Sequence, residues 1–202
     1  MGTRGLYGIR KNGIDKATYN HFDSYPEGLG EDIVKFCLKT DIEKLHTFFD
    51  LIEIVEQNSC PTKEQVEYCT SLGLDDTNVG EQSLYDWYCL IRNLQGDFGL
   101  YRKMIEGRNK IYMIDGIDFI EDSLWCEFAY IINLDDNVLE FYVGYQNEPQ
   151  ESNRYGTAST FEGFDGTKYY PCKLAVTFPL ESILGDDDVD FAVRYMIEAS
   201  SE

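Results

Sequence analysis

The apolar positions along this chain change their spacing twice. Residues 3–11 and 14–23 read as two strand-like runs on either side of Asn12-Gly13, a dipeptide that accepts positive φ at both positions of a two-residue hairpin turn. Pro26, Gly28 and Gly30 then turn the chain, and the spacing lengthens to that of a helix. Ile33, Val34, Cys37 and Leu38 mark a short first helix that opens on Glu31 and Asp32, acids at the positive end of its dipole, and stops near Thr40. Thr40 with Glu43 has the form of a capping box, and Ile42, Leu45, Phe48, Phe49, Ile52 and Val55 predict a helix over about 41–57. Thr62 with Gln65 repeats the cap ahead of Val66, Cys69 and Leu72, a third helix ending at Gly73. After a polar loop from Leu74 to Gln82, Ser83 caps a fourth helix with the stripe Leu84, Trp87, Tyr88, Ile91 and Leu94, closed by Gly96. Asp97 to Asn109, interrupted by Gly99 and Gly107, reads as irregular with about one helical turn.

From Lys110 the spacing shortens again. Ile111 to Ile114 and Ile117 to Ile120 flank Asp115-Gly116, a second hairpin-type dipeptide. Leu124 to Ile132 and Leu139 to Tyr145 alternate, joined by Asp135, Asp136 and Asn137. Residues 146–168 predict a long loop or flap, and Tyr169 to Phe178 a strand whose end Pro179 confines to a sheet edge. A final helix follows Asp186, Asp187 and Asp188. Strands, then helices, then strands, then a helix define an α+β fold. Its antiparallel sheet combines the N-terminal hairpin with the strands of the second half, around a helical block inserted at about 31–105 and with a C-terminal helix. No repeat or linker-like stretch divides residues 1–202, which read as a single domain.

Charge changes this picture more than composition does. The apolar content of 43% is that of a folded chain, but 37 acidic residues stand against 17 basic ones. The imbalance is uneven: 18 against 13 up to Ile114, and 19 against 4 from Asp115 onward. Such a field repels nucleic acid and anionic membrane and attracts basic surfaces. It serves either solubility or docking on a basic partner, for instance a nucleic-acid-binding surface of another protein. The six cysteines form no C-x-x-C pair and stand at no zinc spacing from His21 or His46, so they read as reduced thiols of a cytoplasmic protein. No run of 18 apolar residues and no charged-then-apolar leader is present.

The candidate chemistry gathers at the end of the opening hairpin, in Tyr19, Asn20, His21, Phe22, Asp23, Ser24 and Tyr25. On a strand His21 and Asp23 share a face, and a turn at Asn12-Gly13 sets Arg4 opposite His21. An imidazole oriented by a carboxylate is a working acid–base pair, with Arg4 as anion holder. The competing reading is that Arg4, His21 and Asp23 form a hydrogen-bond network that fixes the hairpin against the next turn. Tyr19, Asn20 and Tyr25 are candidate binding residues beside this trio, as are the acidic groups Asp135, Asp136 and Asp186 to Asp188. The aspartate run at 186–188 is explained by helix-end stabilisation, and no metal or cofactor is expected. No glycine-rich phosphate loop, H-E-x-x-H or G-x-S-x-G motif occurs.

The opening Met-Gly-Thr-Arg-Gly-Leu and the later Tyr-Asn-His-Phe-Asp-Ser-Tyr-Pro-x-Gly-Leu-Gly resemble an uncharacterised family of bacteria and their phages, over residues 1–30. That resemblance implies a group and no activity. A second likeness is to the N-terminal-nucleophile hydrolases, whose first strand begins with the attacking residue. Here position 2 is Gly2, which has no side-chain nucleophile. Three readings follow. The first is an acidic interaction protein, a phage or mobile-element inhibitor of a host defence system that docks on a basic nucleic-acid-binding surface. The second is a small hydrolase or transferase using His21, Asp23 and Arg4. The third is a sponge for a nucleotide-like ligand, held by cations among Arg4, Arg10, Lys11 and Arg154 under the 146–168 loop.

Overall fold

The computed structural model describes residues 2–74, 86–107, 109–151 and 153–201. Strands β1 (Gly5–Lys11) and β2 (Ile14–Asn20) form the N-terminal hairpin, followed by helices α1 (Glu31–Lys39) and α2 (Ile42–Leu51). Strand β3 (Ile52–Val55) leads to α3 (Lys63–Ser71), α4 (Trp87–Ile91) and α5 (Phe98–Glu106). The second half carries β4 (Ile111–Ile114), β5 (Phe128–Asn133) and β6 (Val138–Val143). The short β7 (Phe161–Glu162) and β8 (Lys168–Tyr169) precede β9 (Lys173–Pro179) and helix α6 (Asp186–Ala199). The class is α+β.

The main sheet has the strand order β2-β1-β5-β6-β9. Its pairs are antiparallel except β1–β5, which run parallel. Asn12 (φ 53°) and Gly13 (φ 76°) occupy the hairpin turn, and the ladder runs from Lys11 opposite Ile14 to Gly5 opposite Asn20. Asp135 clamps that turn from the β5–β6 connection, accepting the backbone N–H of Asn12 at 2.6 Å and of Gly13 at 2.9 Å. β9 lies at the sheet edge, the position that its terminal Pro179 requires.

Strand alternation sorts the sheet's side chains onto two faces. Tyr7, Ile9, Tyr130, Ile132, Leu139 and Phe141 face the helices and meet Ile33, Phe36, Phe48, Met104 and Met196 there. Leu6, Ala17, Ala129, Ile131 and Tyr142 face the other way, under Ile120, Cys126 and Cys172. The Tyr130 hydroxyl donates to the Ser24 carbonyl at 2.9 Å, which ties the turn after the hairpin to the middle of the sheet. Truncating a side chain as buried as Phe141 would cost about 3–5 kcal/mol, so this two-sided core dominates the stability of the sheet.

Several elements depart from the sequence expectation, each for a physical reason. The helix expected over 41–57 stops at Leu51, because the β-branched run Ile52–Val55 pairs in parallel with β4. Its cap is Asp41, which accepts from the Lys44 amide at 2.9 Å, and not Thr40. The segment read as irregular is the nine-residue α5, capped by Asp97 on the Leu100 amide at 2.8 Å and held by buried Tyr101, Met104 and Ile105. No hairpin forms at Asp115-Gly116. Ile111–Ile114 pairs with β3, and Ile117–Glu121 winds into a 3-10 turn. Gly116 instead passes close to β2, where a Cβ would lie 2.7 Å from the Tyr19 nitrogen. The antiparallel sheet also takes one parallel pair, β1 with β5. Ser83 and Leu84 lie outside the described residues; α4 is capped by Asp86 on the Cys89 amide at 2.8 Å. All six cysteines are free thiols, five buried and Cys60 exposed.

Candidate functional site

Parallel strands aim their carboxyl ends in one direction, and in open sheets that end is where ligands are received. The pair β3–β4 ends at Val55 and Ile114, and the residues that follow, Glu56, Gln57, Asp115 and Gly116, form one wall of a cleft of about 1350 Å³. The end of β2 supplies Tyr19, His21 and Phe22. The 3-10 turn after β4 adds Asp118, Phe119 and Asp122, and α4 with the turn behind it adds Tyr88, Arg92, Gly96 and Asp97.

Aromatic contacts set this wall. The Tyr19 ring meets Phe119 edge-on, with centroids 5.0 Å apart, and its hydroxyl lies 3.0 Å from His21 Nδ1. Burial pushes the Tyr19 phenol pKa up, against the pull of the nearby Arg4 charge. Phe22 packs over Gly96, joining the end of the hairpin to the helical block.

Five carboxylates (Glu56, Asp97, Asp115, Asp118 and Asp122) line the cleft, with Arg92 as the cation among its described lining residues. Asp97 and Asp115 each give one oxygen to a local amide, Leu100 N–H at 2.8 Å and Ile117 N–H at 3.2 Å. The side chains of Glu56 and Asp118 have no hydrogen-bond or ion-pair partner among the described residues. Asp122 Oδ1 is buried and also without a partner, and burial raises the pKa of this carboxyl against amide hydrogen bonds and the Arg4 charge that lower it. Among the described residues no group of three or more His, Cys, Asp or Glu side chains converges to hold a metal ion. The negative charge is therefore spread along the cleft and not focused on a point.

The residues singled out by sequence fall in different places. Tyr19 and His21 line the cleft. Asp23 does not sit beneath His21, because β2 ends at Asn20 and Asp23 turns to φ 56°, its carbonyl accepting the Leu29 amide at 2.9 Å. The Arg4 guanidinium stacks 4.3 Å above the Trp125 ring, and its backbone N–H donates to Glu127 at 3.1 Å. No hydrogen bond or ion pair joins Arg4, His21 and Asp23. Asn20 is buried and donates to the Phe22 carbonyl at 2.6 Å and Ser24 Oγ at 2.7 Å, which makes it a structural residue of the turn. Tyr25 is exposed, its carbonyl accepting the Gly28 amide at 3.0 Å. Asp136 accepts from Asn133 Nδ2 at 3.0 Å within the β5–β6 turn. Asp188 caps α6, accepting the Leu184 and Gly185 amides at 2.9 Å, with Asp186 and Asp187 exposed beside it.

Three of the four cations considered for a nucleotide pocket are committed to carboxylates: Arg10 to Asp15 at 2.6 Å, Lys11 to Asp50 at 2.8 Å and Arg154 to Glu140 at 2.6 Å. The last pair belongs to a buried network that sequence reasoning missed. Glu140 also accepts from Asn133 at 2.8 Å and Tyr142 at 3.0 Å, and Arg154 reaches Tyr155 at 2.7 Å and Asp15 at 3.4 Å. Burial and then Glu140 raise the pKa of Tyr142, so its hydroxyl stays protonated and donates. The available signal was a glutamate on the same strand face as Tyr142. The cleft acids were missed because the sequence scatters them over three segments, at 56, 97 and 115–122, of which the β3–β4 pairing brings the first and last together.

The fold and cleft thus define an α+β protein with an acidic, aromatic-walled groove. No family model, curated protein or solved structure matches the chain. No helix among the described residues is long and apolar enough to cross a membrane.

Proposed function

We propose that this protein is a non-catalytic interaction module whose acidic cleft receives a basic surface of a protein partner. The observation that carries the reading is the set of five carboxylates that line the cleft, with Arg92 as the cation among its described lining residues. The excess of 19 acidic over 4 basic residues from Asp115 onward extends the same sign of field beyond the cleft. Such a field speeds encounter with a basic partner and rejects acidic ones. The phage-associated opening motif gives the setting: an inhibitor of a host defence system that covers a nucleic-acid-binding surface.

The test is capture of host proteins on the immobilised full chain at low and high salt. The expected result is recovery of a basic, nucleic-acid-binding protein that elutes as ionic strength rises to about 0.5 M, where screening acts within a few ångströms. The combined substitution Glu56→Gln, Asp115→Asn and Asp118→Asn should abolish recovery. Capture that survives both high salt and this variant would overturn the reading.

A further inference from the structure

Resting on the docking reading above, we propose that the group seated in the cleft is an arginine side chain of the partner, its guanidinium stacked against the Tyr19–Phe119 wall and bonded to Asp118 and Asp122. Four observations converge on this chemistry. The first is size. At about 1350 Å³ the cleft exceeds the usual range of a small-ligand pocket, about 300–1,000 Å³, and suits a segment of protein surface.

The second is the composition of the walls. Tyr19, Phe22, Tyr88 and Phe119 come from three separate parts of the chain and share the cleft lining with the carboxylates. A hydrated ammonium gains little from such walls. A guanidinium is planar and weakly hydrated, stacks on ring faces and bonds a carboxylate with two parallel N–H groups.

The third is unmet hydrogen-bonding capacity. Asp122 Oδ1 is buried without a donor, and the Glu56 and Asp118 side chains have none among the described residues. Arg4 does not fill this need. It acts on Asp122 only at a distance, its guanidinium lies on Trp125, and its own Nε is buried without a partner. An incoming fork of N–H donors would find the Asp118 carboxylate unpaired on the cleft wall, beside Asp122.

The fourth is precedent within the chain. Arg4 lies 4.3 Å over Trp125, and Arg92 lies 5.9 Å from the Tyr88 ring inside the cleft itself. The same pairing of guanidinium and aromatic face already operates at this surface.

The experiment compares two peptides of equal charge. Fluorescence anisotropy would be read with labelled nona-arginine and nona-lysine against the full chain at low salt. The expected result is binding of nona-arginine about tenfold tighter, the scale of one desolvated cation–π contact. Phe119→Leu should erase that preference while leaving nona-lysine affinity unchanged, and Asp118→Asn with Asp122→Asn should weaken both peptides. Asp186→Asn with Asp187→Asn, at the start of α6 and outside the cleft lining, should leave the arginine preference unchanged. Thermal melts check that each variant folds, and Tyr19→Phe, which keeps the ring, should retain the preference. Equal affinity for the two peptides would overturn the proposal, as would loss of the arginine preference in the 186/187 variant. The two readings fail separately. A basic partner captured from lysate without any arginine preference removes only this proposal. Selective nona-arginine binding with no basic partner captured removes only the docking reading.

Discussion

Arg154 and Glu140 meet at 2.6 Å, with the Glu140 side chain only 5% exposed. The pair pins the long connection before β9 onto the sheet face opposite the helices. Removing the cation would leave a charge nearly out of water, and that desolvation is the larger effect. Arg154→Ala is expected to lower stability by about 3 kcal/mol in denaturant unfolding. Glu140→Gln placed in the Arg154→Ala background should return part of that loss, since a neutral amide tolerates burial better. Absence of any recovery would mean that Arg154 acts by packing alone.

The aromatic and polar cluster after β2 separates into two kinds of residue. Asn20 is buried with both of its donated hydrogen bonds inside the turn, whereas His21 is exposed at the rim of the cleft. Asn20→Ala should cost about 1–3 kcal/mol, because the Phe22 carbonyl and Ser24 hydroxyl lose their donor. His21→Ala should stay within about 0.5 kcal/mol of the parent. Thermal melts of the two variants, run side by side, check the contrast.

Asp135 makes the hairpin turn sensitive to acid. The Gly13 amide, with help from the Asn12 amide and the Arg10 charge, holds its carboxyl below the ordinary aspartate pKa. A carboxylate with a lowered folded pKa stabilises fully above its unfolded value, about 3.9, and loses that contribution as pH falls through the folded value. Asp135→Ala should therefore be less stable than the parent at neutral pH, with the two curves converging in acid. The carboxylate is exposed, so the gap should stay below about 1 kcal/mol. Urea midpoints measured from pH 7 down to the acid limit would show the convergence or its absence.

Gly96 carries both strain relief and contact. Its φ is 132°, and a Cβ there would lie 3.2 Å from Phe22 Cζ. Gly96→Val should destabilise by more than about 1 kcal/mol, because a branched residue cannot take that φ without strain. Phe22→Ala added to it should relieve the steric part and leave the backbone part, a split that a double-mutant cycle measures.

The sequence made the local structure legible where a side chain acts on its own neighbours. Asn12-Gly13 gave the hairpin register, Thr62 with Gln65 gave the cap of α3, and Asp186 to Asp188 gave the start of α6. It misled where two periods fit the same residues. Ile52 and Val55 continue the stripe of α2 as well as they form a strand, and only the parallel partner Ile111–Ile114 decides between the two. The same hidden partner turned Asp115-Gly116 from a hairpin into the passage beside β2. The candidate site was legible only in Tyr19, His21 and Phe22. His21 lost its expected carboxylate because alternation stops with the last ladder pair, at Asn20. The remaining walls depend on contacts between distant segments, for which no short pattern exists.

The position of β1 between β2 and β5 governs how the chain is made. During synthesis β1 has one edge satisfied by the hairpin and must keep the other bare until residue 128 emerges. Throughout that interval the nascent chain presents an apolar ribbon open to misplaced neighbours. Synthesis that halts within the helical block would therefore release fragments prone to aggregate.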